Sequence, residues 1–114
     1  MKIESFIKNL DFNDNKIVTK VILETSFSKE IRILLKKGQI MKEHKAPFPI
    51  IVNILEGEIN FGVEEKTHQL NKGDIITLEG HVPHDLTALK DSIVRLTLSK
   101  LDHPERVEKV ITNS

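Results

Sequence analysis

The chain of 114 residues has no cysteine, no tryptophan and no tyrosine, and its formal charge is zero, with 17 Lys plus Arg against 17 Asp plus Glu. Each absence excludes something. Without cysteine there are no disulfides, no thiolate nucleophile and no sulfur ligand, so any metal would have to be held by nitrogen and oxygen. Without a net charge there is no overall field to draw in a phosphate backbone or an anionic lipid surface, which disfavours nucleic acid and membrane as partners. No apolar run approaches the roughly 20 residues of a membrane helix. The first residues, Met1-Lys-Ile-Glu-Ser-Phe-Ile-Lys-Asn9, scatter charges through the place where a secretory signal carries its apolar stretch. A cytoplasmic location is the expectation.

Aromatics supply only 4% of the chain, so a core must be built from Ile, Leu and Val, whose branched members suit a pleated surface. The length suits a single domain spanning residues 1–114. Short β-rich runs fall at Ile17 to Thr25, Ile31 to Lys36, Pro49 to Leu55, Glu58 to Val63, Ile75 to Leu78, Leu86 to Leu89 and Ile93 to Ser99. Ile59, Phe61 and Val63 alternate with Glu58, Asn60 and Gly62, and Val94, Leu96 and Leu98 alternate with Arg95, Thr97 and Ser99. That period marks half-buried antiparallel strands. Close turn signals at Gly38, Gly57, Glu64-Glu65-Lys66, Gly73 and Gly80 argue for an all-β sandwich or barrel and against βαβ units.

Two segments depart from the strand pattern. Asp102-His-Pro-Glu105 reads as a helix cap, and Val107, Val110 and Ile111 follow at helical spacing, which predicts a short C-terminal helix. The first dozen residues, with Ile3, Phe6, Ile7, Leu10 and Phe12, predict an irregular strand or lid over a sheet edge. Arg95 and Asn53 point away from the apolar rows and are assigned no role.

Two stretches share a layout of glycine, strand residues, histidine and turn. One runs from Gly38 through His44 to Leu55-Glu56-Gly57-Glu58, the other from Gly73 to Val82-Pro83-His84. They resemble the two motifs of the cupin family, small β-barrels of two packed antiparallel sheets. The family's first motif is a glycine, five residues, His-x-His, three or four residues, a glutamate, six residues and a glycine. Its second is a glycine, five residues, Pro-x-Gly, two residues, a histidine, three residues and an asparagine. Gly38, His44, Gly57, Gly73 and His84 match, and the resemblance covers about residues 30 to 100.

In the family a metal is held by three histidines and the glutamate. Here His44 and His84 occupy two ligand positions, while Ala46 and Ile50 stand where the other two ligands would be. Glu79, His81 and Ala88 replace the proline, glycine and asparagine of the second motif. The text is similar to a group of short single-domain cupins with a reduced ligand set, mostly of unassigned function. Two imidazoles need water, a bound ligand or a third side chain to complete a cation's shell; His81 is the candidate third donor, and Zn, Ni, Fe and Cu all suit imidazole with water. Glu43, next to His44, points away from it if the strand is regular.

The expected ligand pocket is lined by His44, Ala46, Phe48, Ile50, Val52, His84 and Leu86, apolar apart from the imidazoles. Three functions follow from the resemblance. The first is a small-molecule-binding cupin, with or without a metal. The second is a metal-dependent enzyme, such as an oxygenase, isomerase or decarboxylase, acting on a small organic acid. The third is a structural or regulatory homodimer with a vestigial pocket. An unpaired sheet edge makes a homodimer the expectation in each case.

Overall fold

The computed structural model describes residues 1–100, which form nine strands and no helix. The helix expected after Asp102 lies outside the described residues. None of the described residues forms a helix long and apolar enough to cross a membrane.

The strands are β1 (Val18–Glu24), β2 (Ser28–Leu35), β3 (Ile40–His44), β4 (Ile50–Glu56), β5 (Glu58–Val63), β6 (Lys66–Asn71), β7 (Ile75–Leu78), β8 (His84–Ala88) and β9 (Ser92–Ser99). One sheet has the order β1-β2-β9-β4-β7, the other β3-β8-β5-β6. Every pairing is antiparallel.

Period-2 alternation becomes a shared inner face through the registers. Ile33 stands opposite Val94 and Ile31 opposite Leu96, and Ile50, Val52 and Ile54 continue the row across β9. In the second sheet Phe61 faces Leu86 and Ile59 faces Ala88. These side chains meet in one core, with Leu35, Ile54, Ile59, Phe61 and Val94 fully buried. The sequence runs for β5 and β7 coincide with the observed strands, those for β1, β2, β4, β8 and β9 differ by a few residues at their ends, and β3 and β6 have no run of their own. β6 shows only Leu70 buried, which is why no apolar period announces it.

Two turns carry special backbone. Glu64 and Glu65 both take positive φ, 53° and 63°, in the tight β5–β6 hairpin, whose inherent twist demands that geometry even of side chains that disfavour it. Gly57, between β4 and β5, has φ 95°, and a Cβ there would sit 2.6 Å from the Asp91 carbonyl oxygen and 2.7 Å from Ser92 Cα. Only glycine fits that crossing.

The outer face of the five-stranded sheet is not a bare solvent face. Leu34 and Ile93 have outward parity and are nevertheless 1% and 6% exposed. Residues 1–16 lie across it without forming a strand. Arg32, 3% exposed, donates to the carbonyls of Lys8 (2.7 Å), Asn9 (3.2 Å) and Phe6 (3.4 Å). The Arg95 guanidinium lies 5.5 Å from the Phe6 ring centroid and Lys36 Nζ 5.9 Å from that of Phe12. Arg95 also pairs with the buried Glu30 carboxylate at 2.9 Å, and Thr97 Oγ1 donates to the same oxygen at 2.6 Å. The covering segment is therefore laid on a face, not an edge, and Arg95 has a role in holding it. Asn53 also has one, donating to the Asp74 carbonyl at 3.0 Å across the β4–β7 pair.

Candidate functional site

β3 and β8 pair so that His44 stands opposite His84, and their ring centroids are 4.3 Å apart with planes at 61°. A β-bulge makes this possible. Met41 faces Leu86, so an unbroken ladder would bring Glu43 opposite His84; the register shift between Met41 and His44 puts the histidine there instead. Met41 and His44 thereby share the inner face although they are three positions apart.

Both rings are fixed by short local hydrogen bonds. His44 Nδ1 lies 2.8 Å from the Lys42 carbonyl, and His84 Nδ1 lies 2.9 Å from the Val82 carbonyl. A carbonyl only accepts, so each Nδ1 carries the proton and donates. In the neutral rings both Nε2 atoms then keep a lone pair, and neither takes a hydrogen bond from any described residue. The Phe61 ring supports His84 from behind, stacked at 5.6 Å with planes 12° apart.

The two imidazoles sit in different surroundings. His84 is 3% exposed, whereas His44 is exposed on the open side. Burial pulls the His84 pKa below its ordinary value; its bond to the Val82 carbonyl works against this, and the neighbouring His44 adds to the lowering. His84 is thus neutral in the folded protein at neutral pH. The stability this contributes is complete above the unfolded-state value of about 6.5 and is lost as the pH falls from there through the lower folded value. The melting temperature should drop more steeply between about pH 7 and about pH 5 in the wild type than in His84→Gln. Equal slopes would contradict the assignment. Glu30 acts in a lower window. Burial raises its pKa, but hydrogen bonds from Thr97, Arg95 and Ser28 outweigh that and hold it below 4.5.

His44 opens onto a cleft of about 640 Å³ between the two sheets, at the side where β1 and β3 are the edge strands. Val21, Ile31, Ile33, Met41 and Leu96 form its wall. Val21 has inward parity and is still 47% exposed, because the cleft is open beside it. Glu43 also reaches this wall, since the bulge removes the strict alternation that would turn it away.

The remaining sequence candidates are dispersed. Ile50, Val52 and Leu86 are each 3% exposed and belong to the solid core beneath the imidazoles. Ala46 and Phe48 line a separate pocket of about 390 Å³. His81 is exposed in the β7–β8 turn with φ 66°, its backbone N–H donating to the Ala46 carbonyl at 2.7 Å. Phe61 is the residue that sequence reasoning left out of the site. Its inward parity is legible in β5, but its place behind His84 depends on the β5–β8 pairing.

A family model described as a cupin domain matches residues 31–100. The chain belongs to the cupin family. Among solved structures it is similar to an RmlC-like cupin from Desulfovibrio desulfuricans, with a TM-score of 0.80 and 22% identity over 87% of this chain and 96% of that one. A conserved protein of unknown function from Streptococcus pyogenes aligns with a TM-score of 0.76 and 20% identity over 90% of each chain. A cupin 2 conserved barrel domain protein from Leptotrichia buccalis gives 0.70 and 26% identity over 80% of this chain and 44% of its own. No curated protein matches the chain.

Membership raises the question of the metal that cupin motifs hold. Among the described residues no three His, Asp or Glu side chains stand close enough to share an ion. The pair supplies two nitrogen donors, against about three protein ligands at a catalytic zinc and four at a structural one. With Ala46 and Ile50 at the other motif positions, this cupin's donor set does not fit the full resident metal site of the family.

Proposed function

We propose that this cupin binds a small molecule in the cleft between β1, β2, β9 and β3, with the polar end of the ligand anchored on His44 and His84. The observation that carries the reading is the pair of backbone-locked rings, 4.3 Å apart and each with an Nε2 that has no hydrogen-bond partner among the described residues. Two ring nitrogens beside an apolar wall suit a molecule with an apolar body and a hydrogen-bonding end such as a hydroxyl, an amide or a carboxyl. The volume falls in the range of about 300–1,000 Å³ common for small-molecule sites.

A screen of such compounds by thermal denaturation tests this. A ligand that binds only the folded state at about 100 times its Kd stabilises it by about 2.7 kcal/mol. Compounds that raise the melting temperature of the wild type should lose at least about tenfold in affinity in the His44→Ala, His84→Ala double variant, since both proposed anchors are removed. Unchanged affinity in the His44→Ala, His84→Ala double variant would refute the site.

A metal-dependent enzyme is the second reading. One observation favours it: an imidazole whose Nδ1–H is held by a backbone carbonyl is oriented as metal-ligating histidines usually are. The donor count opposes it. Elemental analysis of protein purified without added metal decides between the two. Near-stoichiometric transition metal, lost in the double variant, would bring this reading to the front.

A further inference from the structure

We infer that the pocket at the Ala46–Pro49 end of the barrel is a second ligand site, selective for small organic anions with an apolar body, and that Lys29 pairs with their carboxylate. The pocket holds about 390 Å³, and Pro47, Phe48, Pro49 and Leu98 line it together with Lys29 and Lys100.

The position of Lys29 is unusual for a lysine. It stands opposite Leu98 in the β2–β9 ladder and shares the inward parity of Ile31 and Ile33, so it is half-buried at the end of an apolar row. A lysine there either extends its head group to water or is balanced by a carboxylate. Its cross-strand neighbour Glu24 is the obvious counter-ion, but Glu24 gives its carboxylate to Lys100, with Nζ 2.9 Å away. Lys100 is further held by the Thr25 carbonyl at 2.7 Å. Lys2 also bears on Glu24, so three lysines share one carboxylate. Lys29 Nζ makes no hydrogen bond and no ion pair with any described residue. The pocket lining therefore combines two lysines with an aromatic ring, two prolines and a leucine. A carboxylate on a short alkyl or aryl body satisfies both; a neutral body satisfies only one.

The site is independent of the imidazole pair, since neither His44 nor His84 lines this pocket. Full-length protein labelled with ¹⁵N is titrated with phenylacetate and hexanoate, and with 2-phenylethanol and 1-hexanol as neutral counterparts. Saturable amide shifts are expected for both acids around residues 46–48 and 98–100. The acids should bind about tenfold more weakly to Lys29→Met, and Lys29→Arg should retain them, because the charge-assisted pair is lost in one and kept in the other. His84→Ala should leave the acids' affinity unchanged, which separates this site from the one proposed above. Alcohols that bind as tightly as the acids, an affinity indifferent to Lys29→Met, or no saturable shift at about 10 mM of either acid would each overturn the inference.

Discussion

Phe61→Ala should cost about 3–5 kcal/mol of stability, the range for removing a large buried aromatic ring. Phe61 is 0% exposed, stands opposite Leu86 and stacks on His84. Its removal therefore empties the centre of the four-stranded sheet and takes away the surface that fixes the buried imidazole. With small domains stable by only about 5–15 kcal/mol, the variant should lie close to the unfolding threshold. Phe61→Leu keeps much of the volume and should lose only about 1–2 kcal/mol. Yet it should still weaken ligand binding, because the His84 ring no longer has a flat partner to hold its plane. Urea denaturation followed by far-ultraviolet circular dichroism measures the first effect, as the chain has no Trp or Tyr to report by fluorescence. A loss below about 1 kcal/mol for the alanine variant would mean that the ring does not carry the packing described.

Arg32→Met should release the N-terminal segment and cost about 2–4 kcal/mol, since hydrogen bonds from a charged donor contribute about 1.5–3 kcal/mol each and released carbonyls partly recover water. The guanidinium is buried and spans three carbonyls with its two terminal nitrogens, while its Nε has no partner among the described residues. Lysine cannot reproduce that fork, so Arg32→Lys should behave more like methionine than like the wild type. Limited proteolysis gives the sharper readout. Cleavage within residues 1–16 should be fast in both variants and slow in the wild type. Equal protection in all three proteins would show that the segment is held by something other than this arginine.

The fold was largely legible in the sequence because alternation and turn residues are local signals. Ile59, Phe61 and Val63, or Val94, Leu96 and Leu98, announce an inner face whatever they pack against. The spacing of Gly38, His44, Gly73 and His84 likewise pointed to the family that matches residues 31–100. What could not be read depends on pairing. The bulge in β3 is invisible in Ile40–His44 alone, and strict parity places Glu43 on the wrong face for the cleft it helps to line. Parity groups Ala46 with His44, and Phe48 stands between Pro47 and Pro49, yet both line another opening. Lys29 offered no sign at all. Its meaning depends on Glu24 being engaged by Lys100, a contact between residues 76 positions apart. Arg32 reads as an ordinary outward charge on a strand until a distant segment is laid over it.

That overlay has an evolutionary consequence. Every acceptor offered to the Arg32 guanidinium is a main-chain carbonyl, at positions 6, 8 and 9. Any amino acid supplies the same oxygen, so descendants of this chain can rewrite Lys8 without loosening the tie, whereas Phe6 also holds its ring against Arg95 and Asn9 takes a φ of 55° that few side chains favour. The guanidinium has no such freedom, because no other side chain carries its forked donors. Drift should therefore accumulate at position 8 and spare the anchor.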